Sequence, residues 1–227
     1  MTDWEAWHAA YEDPQSSLSK RLEVVTRRLA EALESLEPVR PRILSLCAGD
    51  GRDVVSVLST RRDVAGRVVL VERDAALAGR AAASAAAAQL TGIEVRCADA
   101  GLSASFMDAL PVEVLLLCGV FGNVDHDRVR SLVGTVPGLV VPGGFVIWTR
   151  GGSAPDRRPE IRRWFAEAGM EEVAFDGDPA LYGVGLHRRP RGAPGAGALR
   201  AGALPERLFS FESAGLVSPS REGRRRP

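Results

Sequence analysis

The chain has 227 residues, with 29 Lys or Arg balanced by 29 Asp or Glu, so no global charge argues for nucleic acid or an anionic membrane as partner. That length suits one α/β domain with short additions, and it buries roughly 70% of the unfolded surface, so a core needs neither metal nor disulfide. No apolar run approaches the ~20 residues that span a bilayer, and Met1–Tyr11 is acidic and aromatic, unlike a secretory leader, so a soluble cytoplasmic protein is expected.

In chain order, Trp4, Trp7, His8 and Tyr11 crowd the first eleven residues although aromatics are scarce overall. Such a segment either folds over a ligand mouth as a lid, with Tyr11 and Arg21 facing inward, or anchors a helix to the body. From Ser17 to Glu37, Leu18, Leu22, Val25, Leu29, Leu33 and Leu36 recur every three or four residues, which predicts a helix with one apolar face. Pro38 and Pro41 end it. Strands are then predicted at Arg42–Cys47, Arg67–Glu72, Ile93–Ala98, Val112–Cys118 and Phe145–Thr149. Between and after them, helices are predicted at Asp53–Thr60, Asp74–Leu90, Asp127–Val136 and Pro159–Ala168, with a turn at Pro142–Gly144. Val112–Cys118 barely alternates and reads as the most buried strand. Glu171–Phe175 and Leu181–Arg188 are joined by the short turn Asp176–Pro179, so they must run antiparallel to each other.

The expected class is therefore α/β: a doubly wound, mostly parallel seven-stranded sheet with a C-terminal antiparallel strand pair and helices on both faces. Residues 1–40 read as a helical or lid segment, 41–190 as the ligand-binding domain and 191–227 as a flexible extension. Within that extension Leu208–Phe211 is apolar enough to dock back on the body, as an edge strand, while Ser218–Pro227 reads as a disordered tail. Lys20 is the only lysine, a bias that fits the base composition of an Ala- and Gly-rich gene better than phosphate binding. Cys47, Cys97 and Cys118 lie in or beside apolar runs without CxxC spacing and read as buried, reduced thiols. With three scattered cysteines and only His8, His126 and His187, no metal site is expected.

In open α/β sheets ligands sit beyond the carboxyl ends of the strands, so the loop after the first strand carries the most information. It reads Leu46-Cys47-Ala48-Gly49-Asp50-Gly51-Arg52-Asp53. Gly49 and Gly51 allow a sharp turn and close approach to a ligand, and the next helix offers its N-terminal N–H groups. Glu72 closes the second strand, where an acid commonly accepts hydrogen bonds from a ribose. A dinucleotide site shares these features, but its pattern wants a third glycine where Val54 stands. Asp50 and Asp53 also place carboxylates where a pyrophosphate would lie; they would repel a dinucleotide but tolerate a ligand with an ammonium and a sulfonium.

The glycine loop Cys47–Gly51 and Glu72 are followed by Cys97-Ala98-Asp99-Ala100 after strand three. Cys118-Gly119-Val120-Phe121-Gly122-Asn123 follows strand four, and Val141-Pro142-Gly143-Gly144 precedes strand five. Together these resemble a class I, Rossmann-like S-adenosylmethionine-dependent methyltransferase over roughly Arg42–Arg188. The first motif CAGDGRD and the opening Trp7-His8-x-x-Tyr11 resemble a set of uncharacterised bacterial members. The resemblance implies that Glu72 holds the ribose hydroxyls and that Asp99 accepts the adenine amino group, with the Ala100 N–H nearby. It implies that the backbone at Cys47, Gly49, Cys118 and Gly119 lines the methionine part, with Ala48 and Gly51 in the same cofactor-binding loop, and that Arg73 and Phe121 flank the adenine. Plainer alternatives are a solvated strand end for Glu72 and a loop cap for Asp99.

One departure stands out. The family's first motif begins with an acid two residues before its first glycine, and here those positions are Ser45 and Cys47. The acid helps hold the methionine ammonium; Asp50 or Asp53 is the available substitute. Methyl transfer needs positioning more than activation, so the absence of a catalytic triad is no objection. Asn123, His126 and Tyr11 are the candidate catalytic residues: Asn123 to orient a nucleophile, His126 as a base, Tyr11 from the lid. An Asn-Pro-Pro-Tyr pattern is absent, which lowers nucleic-acid base methylation. The expected partner is a small-molecule substrate, with S-adenosylmethionine as cofactor, and nothing in the residues sets the oligomeric state. Two alternatives stay open: a methyltransferase-like binding module without turnover, and an NAD(P)-dependent reductase, for which a Tyr-x-x-x-Lys pair is lacking.

Overall fold

Alternate residues of each central strand enter two different cores, as a period of two requires when both faces of a sheet are covered. In the computed structural model, which describes residues 9–36, 40–61, 66–152, 154–192 and 204–211, seven strands form one sheet. They are β1 (Ile43–Leu46), β2 (Val68–Glu72), β3 (Ile93–Cys97), β4 (Val112–Leu117), β5 (Val140–Gly151), β6 (Glu171–Asp178) and β7 (Tyr182–Arg188). Their order is β3-β2-β1-β4-β5-β7-β6, with β7 antiparallel to both neighbours and every other pairing parallel. The helices are α1 (Ser17–Glu34), α2 (Arg52–Thr60), α3 (Ala75–Ala87), α4 (His126–Leu139) and α5 (Arg158–Glu167).

Ile43, Val68, Leu70, Leu116 and Ile147 meet Leu29, Leu33 and Val54 of α1 and α2 on one face. Leu44, Leu46, Val71, Leu115 and Trp148 meet Val129, Val133, Ile161 and Phe165 of α4 and α5 on the other. The expected class is thus the observed one, and strand order reverses between β1 and β4. Among the described residues no helix is long and apolar enough to cross a membrane.

Differences from the predicted elements are local. Helix α3 stops at Ala87 rather than Leu90, because Gln89 adopts φ 57° and the Gln89 and Leu90 N–H groups turn back to the Ala86 and Ala85 carbonyls. Helix α4 runs through Pro137 to Leu139, since a proline in the last turn forfeits only one backbone bond. The predicted turn at Pro142–Gly144 is absorbed into a longer β5. Gly143 donates to the Arg189 carbonyl and Arg189 donates to that of Gly144, both at 2.8 Å, which ties this stretch to the chain after β7.

The β3–β4 crossover has no α-helix, only single 3-10 turns at Ser103–Ser105 and Met107–Ala109 around the fully buried Phe106. The apolar gap left over this crossover is filled by Leu208 and Phe209. Segment 204–211 does dock, but through isolated bridges of Arg207 to Leu102 and Phe211 to Val124, not as an edge strand. The sheet edges are β3 and β6, whereas the gap that attracts Leu208 and Phe209 lies at the crossover. Trp4, Trp7, His8 and the predicted tail Ser218–Pro227 fall outside the described residues.

Candidate functional site

Leaving β1, the chain must reverse within a few residues, and it does so with Cys47 at φ 58°, Gly49 at 59° and Gly51 at 68°. A Cβ at Gly51 would lie 2.9 Å from Leu70 Cδ1, so glycine lets α2 start close against β2. Cys47 has the same left-handed backbone without that freedom, a strain of about 1–2 kcal/mol. Glu72, at the end of β2, braces the turn: Oε2 accepts the Gly49 N–H and Oε1 the Asp74 N–H, both at 2.8 Å.

After β3, Asp99 Oδ1 accepts the Gly101 N–H at 2.8 Å, and Oδ2 accepts Arg207 Nη1 at 3.0 Å. Partial burial pushes the Asp99 carboxyl up, but the Gly101 N–H and the Arg207 guanidinium outweigh it and hold the group below its ordinary value. The adjacent Ala100 N–H has no protein acceptor among the described residues. After β4, Gly119 turns at φ 76°; its N–H donates to the buried Thr149 Oγ1 at 2.9 Å, and its carbonyl accepts Asn123 Nδ2 at 2.7 Å. These bonds hold the Cys118–Asn123 loop at the carboxyl end of central strand β4.

The N-terminal turn closes the other side. Arg21 Nη2 donates to Tyr11 Oη at 3.0 Å, and the Arg52 guanidinium lies 4.4 Å from the Tyr11 ring centre while gripping Asp50. Asp53 is 8% exposed, and its Oδ1 accepts the Val54 N–H at 2.8 Å. Burial pushes the Asp53 carboxyl up to about 6, opposed by the Val54 N–H and reinforced by Asp50. Burial likewise raises the Cys47 and Cys118 thiols, which are therefore neutral and weakly nucleophilic. Contrary to the expectation of three buried thiols, Cys47 and Cys118 are only partly buried, since both line a cavity, and Cys97, the last residue of edge strand β3, is exposed.

One cavity of about 470 Å³ is lined by Tyr11, Cys47, Ala48, Gly49, Asp50, Asp53, Glu72, Arg73, Asp99, Ala100, Cys118, Gly119 and Asn123, all expected from the sequence. Arg21 lines it too, facing inward with Tyr11. Three expected residues lie elsewhere. Gly51 packs behind the loop against Leu70 and Ala81. Phe121 is fully buried, with ring centres 5.7 Å from Trp148 and 6.3 Å from Phe165, so its ring belongs to the core and not to the cavity lining. His126 opens α4 outside the cavity, its ring 4.7 Å from Trp164 and Nε2 2.7 Å from Glu160 Oε2, so it is not placed to act as a base there.

The cavity also takes in Leu22, Arg52, Asp74, Ala75 and Leu77, neighbours of residues already singled out, and Arg207, Phe209, Ser210 and Phe211. The last four reach it from far along the chain, Arg207 standing 108 residues beyond Asp99, and carry no local signal of a site. Asp50 and Asp53 stand at the start of α2, where a pyrophosphate would have to lie. Val54 is fully buried against the sheet, which fills the space a third glycine would leave.

No protein-family profile and no curated protein sequence matches the chain. Solved structures do. Magnesium protoporphyrin IX methyltransferase from Synechocystis PCC 6803 with bound SAM aligns at TM-score 0.62 and 12% identity, over 83% of this chain and 91% of the other. An O-methyltransferase family protein from Burkholderia thailandensis aligns at 0.56 and 16%, over 83% and 69%. The cyclase SpnF aligns at 0.58 and 14%, over 79% and 85%. The mixed seven-stranded sheet is that of the class I methyltransferase fold, and at these identities the likeness is one of fold.

Proposed function

We propose that the cavity binds S-adenosylmethionine and that the protein is a methyltransferase acting on a small-molecule nucleophile. The observation that carries this reading is a convergence. The left-handed glycine turn, Glu72 at the end of β2, and Asp99 beside the orphaned Ala100 N–H all open into one cavity. The donor set fits the group. Glu72 retains lone pairs for two ribose hydroxyls, Asp99 is an ionised acceptor for an adenine amino group, and the Ala100 N–H can meet a ring nitrogen. Asp53 is the acid at the methionine end, since Asp50 is already engaged by Arg52. S-adenosylmethionine supplies an electrophilic methyl group on a sulfonium. Asn123 and Tyr11 border the space where an acceptor would stand; with His126 elsewhere, the acceptor is one that needs little help in losing a proton.

A second reading, a binding module without methyl transfer, is favoured by Ser45 and Cys47 at the two altered motif positions, and fold alone does not fix function. Titration calorimetry with S-adenosylhomocysteine and NADH separates the alternatives. The first ligand is expected to bind and the second not to. NADH binding would overturn the cofactor assignment, and homocysteine-ligand binding with no transfer to a broad acceptor panel would favour the module.

A further inference from the structure

We infer that segment 204–211 is a wall of the cofactor site and that Arg207 is a positioning residue that aligns Asp99 for a 6-aminopurine; this rests on the S-adenosylmethionine reading above. The segment is docked with core-quality packing. Leu208 and Phe209 are 4% and 3% exposed, the Leu208 N–H donates to the Gly101 carbonyl at 2.8 Å, and the Ser103 N–H donates to that of Glu206 at 2.9 Å. A Cβ at Gly101 would come within 2.1 Å of the Phe209 carbonyl oxygen, so this approach of two backbones requires glycine immediately after Asp99-Ala100. From there the segment crosses from Leu102 after β3 to Val124 after β4. Phe209 and Phe211 both border the cavity with ring centres 6.0 Å apart; Phe209 is buried in the core and backs the partly exposed Phe211, which offers the apolar surface that a purine plane prefers.

Arg207 gives this wall its selectivity. Its Nη1 on Oδ2 and the Gly101 N–H on Oδ1 place one donor on each Asp99 oxygen, which fixes the plane of the carboxylate and leaves each oxygen a further lone pair. A carboxylate so held rewards a ligand that presents an amino donor at the purine 6-position and repels one that presents a carbonyl there. A site built to hydrogen-bond one group discriminates strongly against the analogue lacking it, provided the acceptor is fixed.

The test uses full-length protein and calorimetry with S-adenosylhomocysteine and its 6-oxo counterpart, S-inosylhomocysteine. Arg207→Met keeps the side-chain stem and removes the charge. It is expected to weaken S-adenosylhomocysteine binding roughly threefold to tenfold and to narrow the preference for the 6-amino ligand, with an almost unchanged melting temperature. Arg207→Lys is expected to restore most of that preference. Unchanged affinity and preference in Arg207→Met would overturn the inference, as would lost affinity at constant preference, which marks a merely structural role. Wild-type protein that binds no S-adenosylhomocysteine would overturn the cofactor reading instead, whatever the variants do.

Discussion

Burial lifts the Asp53 carboxyl from 3.8 to about 6 against the opposing Val54 N–H, so near neutral pH the folded chain keeps a charge in the cavity wall at a cost. A folded-state value above the unfolded one contributes stability that is complete below about pH 4 and is lost as pH rises through 6, roughly 3 kcal/mol in all. Asp53→Asn is therefore expected to exceed wild type at pH 8 by roughly 1–3 kcal/mol in urea unfolding, with the gap closing near pH 4. On the proposed cofactor reading, the same substitution is expected to weaken S-adenosylhomocysteine binding, which calorimetry checks. Equal stabilities at pH 8 would contradict this account. His187 acts in the opposite sense. Burial presses it down to about 4, and the stability it contributes is present above pH 6.5 and lost as pH falls through 4. At this scale the sequence singled out Glu72, Asp99 and Cys47, which do share the cavity, and Cys47 already stood out as a departure. It did not say that Phe121 and His126 lie outside the cavity, because motif spacing places a backbone near a site but does not say which way a side chain turns.

Helix α1 supplies Arg21 and Leu22 to the cavity, so its seating on the sheet matters to function. A forked pair holds it there: Arg28 Nε and Nη2 each lie 2.6 Å from an Asp176 oxygen on β6. The Arg28 bonds hold the Asp176 carboxyl below its ordinary value against partial burial. A depressed carboxylate contributes stability above its unfolded value and loses it as pH falls through the folded one. Arg28→Ala is expected to cost about 1 kcal/mol at pH 7, or about 2–4 °C in melting temperature, with the deficit shrinking below about pH 4. Thermal unfolding at pH 7 and pH 3 checks this; an equal deficit at both would refute it. The type and order of the seven strands and five α-helices among the described residues followed from the sequence pattern, whereas their ends, and the docking of 204–211 without a strand, did not. Gln89 ends α3 in a left-handed conformation that glycine usually takes, and the Pro142–Gly144 turn was drawn into β5 by bonds with the distant Arg189.

At the scale of the whole molecule, the cavity is closed by both ends of the described chain, Tyr11 on one side and 204–211 on the other. Tyr11 contacts Arg21 and Arg52, whereas α1 keeps its own cap in Ser16, whose side chain accepts the Ser19 N–H at 3.1 Å. Deleting Met1–Glu12 is accordingly expected to weaken S-adenosylhomocysteine binding while moving the melting temperature by only a few degrees. A large loss of stability with affinity preserved would show that the segment is an anchor. The sequence by itself determined the α/β class, the strand and helix order, and the glycine turn with its two acids, because periods of 2 and 3.6 and the demand for positive φ are local properties of a chain. Only the tertiary structure decided which side chains share a cavity: that Asp53 faces it while Phe121 and His126 do not, and that Arg207 reaches Asp99. Those outcomes depend on which apolar gaps the folded sheet leaves open, and such gaps exist only once distant segments have packed.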